Sequence, residues 1–319
     1  MHAKLLAATG ALLFSPLYVA FASSVNQLVV FGDSLSDNGN AAVALAANGT
    51  SLASLNYAPN AFTDGPNTTP RTSGPLGLWI DQFAAKMGLP DPQPYLANPL
   101  SNTNYAVASA QSGSANPQDM ANQLTAFSVS HPLGASPNAL YALWGGANDL
   151  YNGTASGTTA ADNLYGHILS LSGAGAKSFL WFNLPQLGQT PRGVASGARA
   201  LNAASSAFNT EWATDLAALK SQGVNVIGVD INSLFTQITS NPSAYGFANI
   251  TAPAQGTSAD PNTYLFWDAE HPTTAADALV ANLAYSDFNA PEPLSAGLSL
   301  IGLGAVLAAL KLRRKSVTN

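Results

Sequence analysis

The sequence predicts an α/β fold with a mainly parallel β-sheet. Short apolar runs, rich in Val, Ile, Leu and aromatic residues, alternate along the chain with segments whose apolar residues recur at helical spacing. Strands that alternate with helices in this way form parallel sheets covered by helices. At 319 residues the chain is long enough to bury a large core. No internal repeat or interior linker interrupts the pattern, so we expect one folded domain.

Each predicted element follows from a local signal. The apolar runs predict five strands, at 27–31, 104–108, 139–144, 178–182 and 225–229. Helical spacing predicts helices at 41–47, 76–87, 118–129, 160–171, 198–221 and 273–288, the second ending at Gly88 and the last beginning at Pro272-Thr273. Two segments rich in Gly, Pro, Asn and Ser, 48–75 and 241–261, are expected to be long loops. Because long loops in compact domains are commonly functional, 48–75 is a candidate lid or substrate wall.

The N-terminus resembles a secretory signal peptide. Lys4 precedes an apolar stretch at 5–19, and Ala20-Phe21-Ala22 supplies a small-residue cleavage site. We expect residues 1–22 to be removed and the folded domain to comprise 23–290. The alternative is a permanent membrane anchor, which Ser15 and Pro16 disfavour because they interrupt the apolar run.

The C-terminus carries a second targeting signal. Pro291-Glu292-Pro293 precedes an apolar segment at 294–310, just long enough for a transmembrane helix, and a basic cluster follows it. This order resembles the PEP-CTERM sorting signal of Gram-negative bacteria, which a membrane protease removes. The resemblance implies that 291–319 is a sorting tail, read by export machinery, and that the protein reaches the cell surface or extracellular matrix. The alternative is a tail anchor that stays uncleaved.

Charge and composition exclude several classes of function. Residues 23–290 contain 16 acidic and 6 basic residues, a formal charge of −10. Such a surface repels nucleic acid and anionic lipid, so contact with a membrane is expected only through the C-terminal helix. Cysteine is absent, which excludes disulfides, thiolate catalysis and cysteine-ligated zinc.

The first strand leads directly into a candidate nucleophile. Residues 32–40 read Gly-Asp-Ser-Leu-Ser-Asp-Asn-Gly-Asn. Ser34 therefore lies at the carboxyl end of a strand, where open α/β sheets place their active sites. The alternative is an ordinary polar turn. Asp33 and Asp37 could suggest a metal pair, but we expect them to cap and order this loop.

A serine nucleophile needs a base, and the base needs an orienting acid. His271 lies just before the last helix, and Asp268 precedes it by three residues, close enough to contact the imidazole. Glu270 is expected to point away into solvent. His131 and His167 fit structural roles. The alternative for Asp268 is a helix cap beside a solvated histidine.

These blocks resemble, in order, those of the GDSL (SGNH) hydrolase family. The resemblance implies that Ser34 is the nucleophile, Asp268 and His271 its acid and base, and Asn148, in Gly-x-Asn-Asp, an oxyanion donor. The backbone amides of Ser34 and Ala108 would complete the oxyanion hole. Further matching segments are 183–191 and, partly, 71–74. The family pattern implies a three-layer α/β/α sandwich with a mainly parallel, five-stranded, flavodoxin-like sheet.

One block departs from the family. Residues 104–110 read Asn-Tyr-Ala-Val-Ala-Ser-Ala, so Ala108 and Ser109 stand where the family has two glycines. Alanine keeps its N–H, but the backbone geometry comes into question if the site needs a positive φ.

The sequence therefore predicts an exported serine hydrolase that cleaves carboxylic esters through an acyl-enzyme, as an esterase or lipase without cofactor or metal. Its expected partner is an ester substrate with a lipid or short-chain acyl group. One alternative is an acetylesterase that acts on acetylated exopolysaccharide. Another is a matrix or surface-binding protein whose hydrolase site has degenerated.

Overall fold

The elements of the computed structural model, which describes residues 25–64 and 77–290, follow the predicted alternation. Its strands are β1 (Gln27–Gly32), β2 (Tyr57–Ala58), β3 (Ala61–Asp64), β4 (Ala139–Trp144), β5 (Ser178–Phe182), β6 (Asn225–Val229), β7 (Asn249–Pro253) and β8 (Tyr264–Phe266). Its α-helices are α1 (Asn40–Ala46), α2 (Trp79–Met87), α3 (Met120–Ser130), α4 (Ala147–Asn152), α5 (Gly157–Gly173), α6 (Pro191–Ser196), α7 (Ala198–Ser221), α8 (Ile231–Ser240) and α9 (Thr274–Asn289).

The central sheet is parallel and is covered on both faces. Its strands lie in the order β1-β4-β5-β6, and every neighbouring pair is parallel. All residues of β4 and β5 are buried, and because successive side chains point to opposite faces, both faces must be covered. Helix α2 packs against α9, and α5 packs against α7. The predicted three-layer α/β/α architecture is therefore confirmed.

The predicted strand at 104–108 is reduced to a bridged edge segment. Residues 103–107 run beside β1, and Asn104 forms a parallel bridge with Val30. If this segment is counted as the second strand along the chain, the sheet has the flavodoxin-like order 2-1-3-4-5. On its outer side Asn104 forms a second parallel bridge, with Pro94, in which its carbonyl accepts the N–H of Tyr95 at 2.8 Å. The amide of Asn40 also donates to the carbonyls of Asn104 and Ala106, both at 2.8 Å. These contacts cover the edge of the sheet.

Both predicted long loops contain regular structure. Within 48–64, a 3-10 turn (Ala53–Leu55) precedes the β2–β3 hairpin, whereas 65–75 lie outside the described residues. The second loop contains β7, which pairs with β8 in a small separate sheet. Helices α4, α6 and α8 were not predicted, and α4 and α6 have only six residues each.

Two glycines allow close packing at the carboxyl ends of β1 and β4. A Cβ on Gly32 would collide with the carbonyl oxygen of Trp144. Gly146 has φ 103°, and a Cβ there would lie 2.6 Å from the ring of Phe208. These glycines let the chain turn sharply after both strands. Ligands of doubly wound sheets bind where the strand order reverses, which here is between β1 and β4.

Both predicted targeting segments, 1–22 and 291–319, lie outside the described residues. Ser24–Ala290 form a compact unit by themselves. Within the parts of the chain that the structure describes, no helix is long and apolar enough to span a bilayer.

Candidate active site

Three predicted residues form one hydrogen-bonded chain. The Oγ of Ser34 lies 2.8 Å from Nε2 of His271, and Nδ1 of His271 lies 2.7 Å from Oδ2 of Asp268. Ser34 is half-buried in the turn that follows β1, whereas His271 is only 6% exposed. An imidazole held between a hydroxyl and a buried carboxylate is arranged to accept the hydroxyl proton.

A compact turn before α9 fixes the acid and the base. Asp268 Oδ1 accepts the backbone N–H groups of Glu270, at 2.8 Å, and His271, at 2.7 Å. The N–H of Trp267 donates to the carbonyl of His271 at 2.8 Å, which closes the turn. Thr273 then caps α9 by accepting the N–H of Ala276. Local backbone bonds therefore orient the carboxylate before it contacts the imidazole.

The β2–β3 hairpin supplies two contacts that the sequence reasoning missed. The hydroxyl of Tyr57 donates to Asp268 Oδ2 at 2.6 Å. The ring of Phe62 stacks on the imidazole of His271, with centroids 5.2 Å apart. Residues 48–64 do not line the cleft described below, so in its described part this loop supports the acid and base instead of forming a substrate wall.

The electrostatics of the pair favour an ionised acid and a basic histidine. Burial alone would raise the pKa of Asp268, but the hydrogen bond and charge of His271, its backbone N–H and the Tyr57 hydroxyl lower it below its ordinary value. Burial alone would lower the pKa of His271, but Asp268, and then Glu270 and Asp33, raise it above its ordinary value. Burial and Asp268 raise the pKa of Tyr57, so its hydroxyl remains a donor.

Asp33 and Asp37 order the loop around Ser34, as predicted. Asp33 Oδ1 accepts the N–H of Leu35 at 3.0 Å, and Asp37 Oδ1 accepts those of Gly39 and Asn40 at 3.0 and 2.6 Å. Burial raises the pKa of Asp33 to about 7, although the hydrogen bond from the Leu35 N–H opposes this rise. Burial likewise raises the pKa of Asp37 to about 6, although its hydrogen bonds from backbone N–H groups oppose this rise.

Of the predicted oxyanion donors, Asn148 lines the cleft and Ala108 does not. Asn148, at the start of α4, lines the cleft beside Ser34 and uses one of its amide hydrogens on the carbonyl of Ala110, at 3.0 Å. A side-chain amide carries two hydrogens, so the second is available to a ligand. The N–H of Ala108 instead donates to Asp37 Oδ2 at 2.9 Å, and Ala108 does not line the cleft. The geometry therefore gives no support to the oxyanion role predicted for Ala108.

The positive φ that glycine would favour falls at Ser109. Its φ is 63°, whereas Ala108 has no positive φ. The Ser109 N–H forms no hydrogen bond with any residue that the structure describes. The left-handed region costs a non-glycine residue roughly 1–2 kcal/mol. A non-glycine residue therefore strains the backbone at Ser109 but not at Ala108.

A cleft opens beside Ser34. Its empty space, including its mouth, is about 560 Å³. Ser34, His271 and Asn148 lie at one side of it. Its other walls are largely apolar, and their large side chains include Leu35, Trp144, Leu184, Leu187, Phe235 and Phe266.

Glu270 differs from its prediction. It borders the cleft and forms an ion pair with Arg192, so it does not simply point into solvent. The guanidinium of Arg192 also lies 4.2 Å from the centroid of the Tyr151 ring, and the N–H of Arg192 donates to the carbonyl of Ala269 at 2.7 Å. These contacts join the start of α6 to the turn that holds the acid and base.

Comparison with known proteins shows the family of this chain. The sequence model described as GDSL-like Lipase/Acylhydrolase matches residues 28–284. The chain belongs to this GDSL family. It is 29% identical to esterase EstA of Pseudomonas aeruginosa, over 86% of this chain and 48% of that protein. It is 26% identical to a GDSL esterase/lipase of Arabidopsis thaliana, over 88% and 92%.

The chain spans about half the length of the Pseudomonas proteins that it matches. Among solved structures, a G-D-S-L family lipolytic protein from Veillonella parvula aligns over 83% of this chain and 99% of its own, with 15% identity and a TM-score of 0.47.

The structure also describes the other segment that matches the GDSL family and the two remaining histidines of the domain. In the segment at 183–191, the amide of Asn183 donates to Asp230 at 2.8 Å, while Leu184 and Leu187 reach the cleft. The partial match at 71–74 lies outside the described residues. His167 is half-buried and contacts the carbonyl of Ser112 at 2.8 Å, and this burial lowers its pKa. His131 contacts the carbonyl of Phe127, at 3.1 Å.

Proposed function

We propose that this GDSL protein hydrolyses carboxylic esters through an acyl-enzyme on Ser34. The hydrogen-bonded chain from Ser34 through His271 to Asp268 is the observation that carries the proposal. Membership of the GDSL family supports it, as do the relatives named as esterases. The chemistry requires no redox step, because every bond change is an acyl transfer between oxygen atoms.

The first half-reaction transfers the acyl group to the enzyme. Nε2 of His271 takes the proton of the Ser34 hydroxyl while Oγ attacks the ester carbonyl carbon. The Asp268 carboxylate stabilises the imidazolium that forms. When the tetrahedral intermediate collapses, the bond to the alcohol oxygen breaks and His271 returns its proton to that oxygen. The alcohol then leaves.

Water completes the cycle. His271 removes a proton from a water molecule, whose oxygen attacks the acyl carbon on Ser34. The second tetrahedral intermediate collapses when His271 protonates Ser34 Oγ, and the carboxylic acid leaves. In both intermediates the negative oxygen is held by the free amide hydrogen of Asn148 and by the backbone amide of Ser34.

The walls of the cleft indicate the acyl side of the substrate. Leu35 and Phe235 give the cleft an apolar wall, which a longer alkyl chain would contact over more of its length than an acetyl group would. We therefore propose a substrate with an acyl chain longer than acetyl.

A panel of p-nitrophenyl esters from acetate to palmitate, with acetylated polysaccharide alongside, tests the proposal. We expect turnover that is highest with acyl chains longer than acetyl. Ser34→Ala and His271→Gln should each reduce turnover by orders of magnitude, because the nucleophile or its base is lost.

His131→Gln is the matched control, since among the described residues the side chain of His131 contacts Phe127, in the helix that it follows, and Tyr105. It should leave turnover unchanged. Unaltered hydrolysis by the Ser34 variant would refute the mechanism. Hydrolysis confined to acetyl esters or acetylated polysaccharide would favour the acetylesterase alternative.

We further propose that the protein is exported and loses residues 1–22, and that 291–319 act as a sorting tail with a transmembrane helix at 294–310. The signals in the sequence support this proposal. The intact mass of the protein recovered from the cell surface tests it. A mass that retains both ends would contradict processing.

A further inference from the structure

A cluster of three carboxylates joins α5 and α7. Asp162 comes from α5, and Glu211 and Asp215, one helical turn apart, come from α7. One oxygen of each lies within 4.8 Å of the others. Gly157 allows this close approach, because a Cβ there would collide with the carbonyl oxygen of Ala204. None of these residues lines the catalytic cleft.

Asp215 is the unusual member of the cluster. It is only 8% exposed, and its Oδ2 is buried without a hydrogen-bond partner. Among the described residues, no lysine or arginine forms an ion pair with any of the three acids. A buried carboxylate without a partner is costly.

We propose that Asp162, Glu211 and Asp215 bind a calcium ion that ties α5 to α7. The ligands are all carboxylate oxygens, which hard divalent cations prefer. Oxygens within 4.8 Å of one another can share one ion at the ~2.4 Å of a Ca–O bond, whereas Mg²⁺ keeps several of its waters and is less suited to three protein carboxylates. Asp162 is exposed, so water can complete the coordination.

Thermal unfolding of the full chain tests the site. The protein is stripped with EDTA, desalted and titrated with CaCl₂ at constant ionic strength, with MgCl₂ in a parallel series. Because a ligand of the folded state stabilises it, we expect a saturable rise in Tm of about 5–10 °C at ~100-fold excess over Kd. MgCl₂ should give a smaller rise. An equal rise with MgCl₂ would overturn the assignment to calcium.

Variants distinguish a site from general charge screening. Asp215→Asn should abolish the calcium-dependent rise, yet match or exceed the wild-type Tm in EDTA because the buried charge is gone. If that variant does not fold, the exposed Asp162→Asn should shift the titration by at least ~10-fold to higher calcium. Asp287→Asn, on α9 and outside the cluster, is the control and should keep the full rise.

A second measurement observes the ion directly. Terbium, a calcium substitute, should give luminescence on tryptophan excitation, since Trp212 lies next to Glu211 in α7. Calcium should compete it away, and Asp215→Asn should lack it. Equal calcium responses in Asp215→Asn and Asp287→Asn, or no saturable response in the wild type, would overturn the proposal.

Discussion

The hydroxyl of Tyr57 offers a sharp test of how the acid and base are held. Tyr57→Phe removes the 2.6 Å hydrogen bond to Asp268 but keeps the ring, which lies edge-on to His271 with centroids 6.2 Å apart and contacts Phe62. The packing of the hairpin is therefore preserved. The variant changes one donor to the carboxylate and little else.

The structure bounds the size of the effect. A hydrogen bond to a charged group contributes about 1.5–3 kcal/mol. Asp268 retains three donors, which are Nδ1 and the backbone N–H of His271 and the backbone N–H of Glu270. We therefore expect a loss of about 1–2 kcal/mol in transition-state stabilisation, a decrease in kcat of ~5–30-fold. KM should hardly change, because Tyr57 does not line the cleft.

Initial rates with a p-nitrophenyl ester, measured across pH, provide the assay. Without the Tyr57 donor the Asp268 charge is less neutralised, so the pKa of His271 should rise and the acid limb of the rate profile should move to higher pH. Tyr141→Phe is the matched control, because it removes a buried hydroxyl that donates to the carbonyl of Ser136 at 3.1 Å. An unchanged kcat and pH profile in Tyr57→Phe, or an equal loss in Tyr141→Phe, would refute a role for the Tyr57 hydroxyl in holding Asp268.

Three further predictions concern the site and the fold. Asn148→Ala should lower kcat by ~10²–10³-fold with little change in KM, because an oxyanion donor is lost, and a purely KM effect in steady-state kinetics would contradict that role. Glu270→Gln should move the acid limb to lower pH, because the Glu270 charge raises the pKa of His271, and an unmoved limb would count against it. Tm should decrease as the pH is raised from 5 to 8. Asp33 and Asp37 keep protons up to about pH 7 and 6 when folded but release them near 3.8 when unfolded, and the raised pKa of His271 acts in the same direction. A flat or rising Tm in thermal unfolding at constant ionic strength would exclude this linkage.

The candidate catalytic residues were predictable because their signals are local. Ser34 follows an apolar run directly, and Asp268 lies one turn before His271. In a parallel sheet the carboxyl ends of the strands share one edge, so motifs placed after β1 and before α9 can meet there. The strands β4, β5 and β6 were equally clear, because each is a short apolar run with turn residues after it.

Contacts between distant segments could not be predicted in this way. Tyr57 meets Asp268 across 211 residues, from a hairpin inside a stretch whose composition indicated a loop. The edge segment at Asn104 was predicted as a full strand, yet it forms only isolated bridges, to Val30 on one side and to Pro94 on the other. Likewise, Asp162 joins Glu211 only through the packing of α5 on α7. Each of these depends on tertiary structure and not on local pattern.

The central claim is that Ser34 is a nucleophile activated by His271. Labelling the full chain with a fluorophosphonate and mapping the adduct by mass spectrometry tests it most directly, since only an activated serine reacts. We expect a single adduct, on Ser34, that forms in the wild type and His131→Gln and is lost in His271→Gln. No adduct on Ser34, or equal labelling when His271 is replaced, would contradict activation of Ser34 and favour a binding protein with a degenerate hydrolase site.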